Sequence, residues 1–199
     1  SNNHNPLNHY LLFCNVGKVV FSWYGAELDW IYAEHLEETI PIRRYMSGHR
    51  LDYINQKKNY RIGISENILY YSSDFNSVDF TFHNPIMILS GYKSNTFRGG
   101  ANAILSIDIG IKILNKYDIL MQKFIDDFQV DRITQGDKEP PEYGYKIIIK
   151  GPAKTLFNQE KKIDATLLIK YEKVSPRTFN TPDELKAEKW MNLNKPIGT

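Results

Sequence analysis

The chain has 199 residues, of which 42% are hydrophobic and 24% are charged, and its formal net charge is +2. This composition is typical of a globular protein and excludes a disordered or low-complexity chain. The small net charge provides no general attraction to nucleic acid or to a membrane surface, and the absence of an apolar run of about 18 residues predicts no transmembrane helix.

The chain begins with a polar, Asn-rich stretch, Ser1 to Pro6, rather than with Met. We interpret residues 1–8 as a flexible segment that precedes a single domain spanning 9–199. This start fits a cleaved leader or a lipid anchor upstream of residue 1, and equally an artificial start. It favours a bacterial protein of the periplasm or envelope over a cytoplasmic one. Cys14 is the only cysteine, so the chain cannot form an internal disulfide.

The first predicted elements are a β-hairpin and a helix. Tyr10 to Tyr24 is apolar, rich in β-branched and aromatic residues, and interrupted by a turn at Asn15 to Lys18. From Ala26 the apolar residues recur at i, i+3 and i+4, which predicts a helix over 26–38 that ends before Pro41.

The middle of the chain predicts strands followed by a second helix. Short strands are predicted at 60–64, 68–72, 78–82 and 86–92, between polar turns. Strict alternation of apolar and polar residues from Leu105 to Ile113 is the clearest signal, and it predicts a strand with one wet face. Apolar residues at i, i+3 and i+4 then predict a helix over 115–128.

The last third predicts strands at 145–150 and 163–171. Thr181 to Glu184 forms a capping box with Pro at the first helical position, which predicts a third helix over 182–191. The predicted fold class is therefore α+β, with a mainly antiparallel sheet or two packed sheets and about three helices.

The charges of the first third fall into two opposed blocks. Residues 25–40 carry five acids and no base, and residues 41–61 carry six bases against one acid, Asp52. On the predicted helix, Glu27, Glu34 and Glu38 would form a stripe beside Trp30, opposite the buried face. An exposed Trp among acids is typical of a protein contact surface. The predicted partner-binding residues are Glu27, Trp30, Glu34, Glu38, Arg43, Arg44 and Arg50.

Three interpretations of this region stay open. The two blocks pair with each other, or they face another protein, or His35 with Glu34 and Glu38 binds a metal ion. The metal interpretation lacks the second helical His/Glu pair that carboxylate-bridged metal sites require. We therefore predict neither a metal site nor a cofactor.

The same region interleaves bases with aromatic residues, which could grip single-stranded nucleic acid, but the adjacent acids would repel phosphate. No nucleic-acid partner is predicted. The chain also lacks the GxSxG nucleophile elbow and the phosphate-binding glycine loops, and we predict no catalytic residue.

The sequence therefore favours a non-enzymatic protein-binding module, acting on another protein as an inhibitor, an immunity-type protein or an assembly accessory through its charged surface. One alternative is a hydrolase with dispersed His and carboxylate residues. Another is a scaffold that associates through a sheet edge.

Overall fold

The computed structural model describes residues 8–35, 38–90, 100–127, 142–153, 165–175, 191–192 and 195–196. Eight antiparallel strands form a single sheet in which every strand lies beside its neighbours in the chain. A further two-residue pair, β9 with β10, is separate from this sheet. The strands are β1 (His9–Val16), β2 (Val19–His35), β3 (Glu38–Asn55), β4 (Tyr60–Tyr71), β5 (Gly100–Ile113), β6 (Tyr117–Asp127), β7 (Glu142–Pro152), β8 (Thr166–Val174), β9 (Met191–Asn192) and β10 (Lys195–Pro196).

Short turns with left-handed backbone connect several of these strands. Gly17 has φ of +62° between β1 and β2, and Asn59 has φ of 53° between β3 and β4. Leu114 and Asn115 adopt the same region between β5 and β6. Gly and Asn tolerate this conformation better than other residues, so local sequence favours the connections at Gly17 and Asn59, whereas Leu114 adopts it at a steric cost.

The register gives the sheet two chemically different faces. One row that crosses all eight strands contains only apolar and aromatic residues: Val16, Val19, Tyr53, Ile62, Ile109, Met121, Ile147 and Tyr171. The neighbouring row, on the opposite side of the sheet, is Asn15, Val20, Asp52, Gly63, Asp108, Gln122, Lys146 and Glu172. We call the first side the apolar face and the second the polar face.

A segment between β4 and β5, residues 72–90, covers one end of the apolar face. It contains a short 3-10 helix, Phe80–His83, and we call it the cover segment. Phe82 and Leu89 of this segment are fully buried against Tyr45, Ile68 and Tyr70 of the sheet. This end of the sheet therefore holds the hydrophobic core, and we call it the covered end.

The hairpin of β2 and β3 extends past the rest of the sheet. β1 pairs with β2 only as far as Ala26, and β4 pairs with β3 only from Tyr45 onward. Residues 27–35 and 38–44 therefore form a two-stranded arm. Its base is anchored, because Leu28 and Ile42 are buried and the Arg43 amide donates to the Phe75 carbonyl at 2.9 Å.

Strand glycines make room for long side chains on the polar face. An added Cβ at Gly63 would lie 2.7 Å from the Arg50 guanidinium carbon, and one at Gly110 would lie 2.9 Å from Cγ of Arg61. Both arginines come from the neighbouring strand and lie across the glycine backbone. A side chain at either glycine would therefore collide with the arginine unless the arginine shifted.

The predicted α+β class is wrong, and the first helix shows why. Residues 26–35 belong to β2, and three steps on β2, from Glu27 to Trp30, oppose two steps on β3, from Tyr45 to Arg43. This β-bulge inserts one extra residue, so Leu28 and Ile31 come to the same side at a spacing of three. A bulged strand therefore carried the spacing of a helix.

The predicted helix at 115–128 is also wrong, because Tyr117–Asp127 is β6. Leu120 and Phe124 are apolar residues on the polar face, where they lie in register with Gly110 and Gly144. Apolar residues on both faces broke the alternation and imitated a helical period. The third predicted helix, 182–191, lies outside the described residues except for Met191.

The predicted first hairpin is confirmed by β1 and β2, and the predicted strands at 105–113 and 145–150 are confirmed by β5 and β7. The predicted strand at 163–171 is confirmed by β8 over 166–171, and residues 163–164 lie outside the described residues. Residues 60–64 and 68–72 belong largely to one strand, β4. The predicted strands at 78–82 and 86–92 are wrong over their described residues, which form the cover segment. No helix in the described part of the chain is long and apolar enough to span a membrane.

Candidate functional site

The charged region pairs with itself at the base of the arm. Arg43 donates to Glu27 at 2.7 Å from Nε, and its Nη2 lies 2.6 Å from the same carboxylate. The guanidinium of Arg43 also lies 5.5 Å from the centre of the Trp30 ring, within the range of a cation–π contact. Three of the predicted residues thus come together, and the acid and base neutralise each other.

The other predicted arginines pair elsewhere. Arg44 is buried and forms an ion pair with Asp29. Arg50 donates to both oxygens of Asp52 at 2.7 and 2.5 Å and to both oxygens of Asp108 at 2.6 and 2.9 Å. These hydrogen bonds raise the pKa of Arg50 still further above its ordinary value, although burial opposes the shift. Arg50 therefore forms its ion pairs with acids on the polar face of the sheet.

The predicted stripe of glutamates depended on a helix over 26–38, and residues 26–35 belong to β2 instead. β2 pairs Glu34 with Thr39 and His35 with Glu38, so Glu34 and Glu38 occupy alternating positions of the ladder. The side chains of Glu34 and Glu38 lie outside the described residues. What the arm does expose is aromatic: Trp30 is 49% exposed and Tyr32 is 66% exposed.

A larger surface lies at the open end of the apolar face, beyond the cover segment. Ten large side chains there leave between 36% and 51% of their area exposed: Leu51, Ile62, Ile64, Leu105, Ile107, Ile111, Ile113, Met121, Ile169 and Tyr171. They come from five strands. A fully exposed large side chain offers roughly 200 Å², so this patch offers on the order of 800 Å² of mostly apolar area.

Charge is sparse on this open patch. The row from Val16 to Tyr171 contains no charged residue, and neither does the next row outward from Asn55 to Ile169. Lys123 stands beside Ile107, and its amino group lies 5.9 Å from the centre of the Tyr143 ring. Soluble monomers rarely expose a continuous apolar patch of this size. The chemistry of the patch is therefore burial against another apolar surface.

Glu66 marks the boundary between the covered end and the open patch. Its carboxylate accepts the amides of Leu89 and Ser90 at 2.9 and 2.8 Å, and Nε2 of His49 lies 3.3 Å away. Burial opposes its ionisation, but these hydrogen bonds lower the pKa of Glu66 to about 2. The charged carboxylate therefore fixes the end of the cover segment to the sheet.

His83 holds the middle of the cover segment between two phenols. Its Nδ1 lies 2.6 Å from the Tyr10 hydroxyl, and its Nε2 lies 2.7 Å from the Tyr70 hydroxyl. Burial lowers the pKa of His83, with Asp79 opposing the shift, and burial raises the pKa of both tyrosines. A neutral imidazole with one N–H and one lone pair fits between one accepting and one donating hydroxyl.

These histidines are engaged in packing. His49 stacks on Phe21 with ring centres 6.3 Å apart and faces Glu66, and both oxygens of Glu66 already hold backbone amides. His83 is held between the hydroxyls of Tyr10 and Tyr70. No group of three metal-ligating side chains occurs in the part of the chain that the structure describes. The metal interpretation rests on His35, Glu34 and Glu38, whose side chains lie outside the described part of the structure.

Sequence reasoning missed the apolar patch and the acid Asp108. The alternation of Leu105 to Ile113 predicted one wet face, and it was the apolar side of that same alternation that the structure leaves open. The neighbouring strand β4 carries similar alternation at Ile62 and Ile64, and Ile147 and Ile149 of β7 lie on the same face of the sheet. The signal was present, but only strand order shows that these residues adjoin.

Comparison with known protein families, with curated proteins and with solved structures found no match to this chain.

Proposed function

We propose that this protein is a non-enzymatic protein-binding module of the assembly type, and that its contact surface is the open patch of the apolar face. The observation that carries the proposal is the patch of ten exposed, mostly aliphatic side chains on one sheet. An antiparallel sheet of alternating residues normally packs its apolar face against a second layer. Within the described part of the chain, the cover segment supplies that layer at the covered end only.

The proposed occupant is a second copy of the chain. A flat patch with two charge-free rows is complementary to itself, because apolar burial needs no matching of opposite charges. The patch offers about 800 Å², which is what each partner buries in an interface of standard size. Two such sheets facing each other would form a β-sandwich with a spacing of about 10 Å.

The arm supports a second contact, to a different protein. It projects beyond the sheet and presents Trp30 and Tyr32, residue types that dominate binding energy at interfaces. Since Arg43 and Glu27 neutralise each other, the contact depends on the aromatic rings rather than on the charge steering predicted from the sequence. An inhibitor, an immunity-type protein and an assembly accessory all remain compatible with such an arm.

The proposal is tested by the mass of the purified chain in solution, measured by light scattering during size-exclusion chromatography at concentrations spanning the micromolar range. The wild type should be a dimer. Ile64→Glu with Ile107→Glu places four carboxylates in the symmetric interface and should weaken dimerisation at least 100-fold, about 3 kcal/mol. Circular dichroism should be unchanged, because both side chains are about half exposed in one copy.

The matched control is Leu168→Glu, an exposed residue of β8 on the polar face, and it should dimerise as the wild type does. A wild-type chain that is monomeric at every concentration overturns the second copy as occupant. A dimer that Leu168→Glu disrupts while the double variant does not would also overturn it.

A further inference from the structure

The polar face carries a groove at the end remote from the cover segment. A cavity of about 480 Å³ lies around Gly110, with Ile54, Leu120 and Ile148 on its apolar floor. These residues belong to one row of the sheet, with Ile54 opposite Arg61 and Leu120 opposite both Gly110 and Ile148. Because Gly110 has no side chain, the aliphatic part of Arg61 lies across it and forms part of this floor.

Basic residues surround this groove. Arg61, Lys112 and Lys150 line the cavity. A second cavity of about 390 Å³ shares Lys150 and Asp118 with the first and adds Lys116. Four bases thus stand against one lining acid, Asp118.

The acids neutralise these bases only in part. Lys112 lies 3.5 Å from Asp118, but both side chains are largely exposed. Arg61 lies 4.0 Å from Asp108, whose two oxygens are already taken by Arg50. Among the described residues, Lys116 and Lys150 have no acid within 4.0 Å. Cations beside an apolar floor attract a group that is both anionic and apolar.

The wall of the groove is held by the turns beside it. The Asn59 amide group donates to the Asn115 side chain at 2.6 Å, and the Lys112 backbone amide donates to the Asn59 carbonyl at 2.8 Å. These contacts tie the β3–β4 connection to the β5–β6 connection. The groove is therefore largely formed before any ligand binds, which reduces the entropy cost of binding.

We infer that this groove binds a small amphipathic anion, with its carboxylate, phosphate or sulfate head at Lys112 and Lys150 and its aliphatic or aromatic body on the floor around Leu120. The volume lies within the range of small-molecule sites, roughly 300–1,000 Å³. The inference does not depend on the proposed function, because the basic residues and the floor of the groove are on the polar face and, of the ten open-patch residues, only Ile111 also lines the cavity.

Isothermal titration with octyl phosphate tests the inference, with inorganic phosphate and octyltrimethylammonium as comparison probes. Octyl phosphate should bind at least 10-fold more tightly than either probe, because only it matches both the bases and the floor. Lys112→Ala with Lys150→Ala should weaken its binding at least 10-fold. Lys123→Ala removes a lysine from the apolar face and should leave the affinity unchanged.

The open patch could also take an alkyl chain, and Ile64→Glu with Ile107→Glu separates the two sites. That variant should bind octyl phosphate as the wild type does. Four results would each overturn the inference: equal affinity for the cationic probe, equal affinity for inorganic phosphate, no effect of removing the two lysines, or loss of binding in the patch variant.

Discussion

His83 and Glu66 both hold the cover segment on the sheet, His83 as a neutral side chain and Glu66 as a charged one. Glu66 is charged and its carboxylate is satisfied by the Leu89 and Ser90 amides, whereas His83 is kept neutral by burial between Tyr10 and Tyr70. Each contact loses its contribution to stability below a different pH. The lowered pKa of Glu66, about 2, contributes stability above the ordinary Glu range that is lost as pH falls toward 2.

His83 limits stability at milder pH. Its pKa is lowered in the folded chain, so the unfolded chain binds the proton first as pH falls below 6.5. Stability from His83 is therefore complete above that value and declines below it. We expect His83→Gln to lower the free energy of unfolding by about 1–2 kcal/mol at pH 7.5. We also expect this variant to lose less stability than the wild type when the pH is lowered from 7.5 to 5.5.

Urea unfolding followed by circular dichroism at both pH values measures this difference. His9→Gln changes an exposed histidine of β1 and serves as the control, since it should keep the wild-type loss. An equal loss in wild type and His83→Gln would show that another group sets the pH dependence.

At the scale of the elements, β3 and β4 are fitted to each other by an arginine that lies over a glycine. Arg50 crosses Gly63 to reach Asp108 on β5. Gly63→Ala places a Cβ against the guanidinium and should displace it from its two carboxylates. We expect Gly63→Ala to cost about 1–3 kcal/mol of unfolding free energy.

A double-mutant cycle with Arg50→Ala checks the cause of that cost. Once the guanidinium is absent, the added Cβ meets only the Asp52 carboxylate, at 2.7 Å, so Gly63→Ala should cost much less stability in the Arg50→Ala background than in the wild type. Additive costs in the cycle would instead attribute the effect to the glycine backbone.

At the scale of the whole molecule, the open patch and the basic groove have different chemistry and should respond differently to salt. Raising ionic strength from about 50 mM to about 500 mM screens exposed charges but leaves apolar burial nearly unaffected. Dimerisation through the open patch should therefore change less than about 3-fold, whereas octyl phosphate binding should weaken at least 10-fold. Sedimentation and titration over this range measure both. Dimerisation that weakens in parallel with ligand binding would contradict the assignment of the two surfaces.

Much of the strand content could be predicted from local pattern. The strict alternation of β5 and the left-handed Gly17 of the first turn each act within a few residues, so the chain alone determines them. The arm and β6 could not be predicted, because their apolar spacing was set by a bulge at Glu27 to Trp30 and by Phe124 covering Gly144. The bulge and the contact of Phe124 with Gly144 both depend on how neighbouring strands pair.

The candidate surfaces divide in the same way. The sequence by itself determined that the charge blocks at 25–61 oppose each other and that Trp30 stands among charges, since these are facts of order along the chain. Only the tertiary structure decided that Arg43 meets Glu27, that Arg50 turns to Asp108, and that eight strands align their apolar residues in one open row. Pairing partners and sheet neighbours are separated by up to dozens of residues, and register alone brings them together.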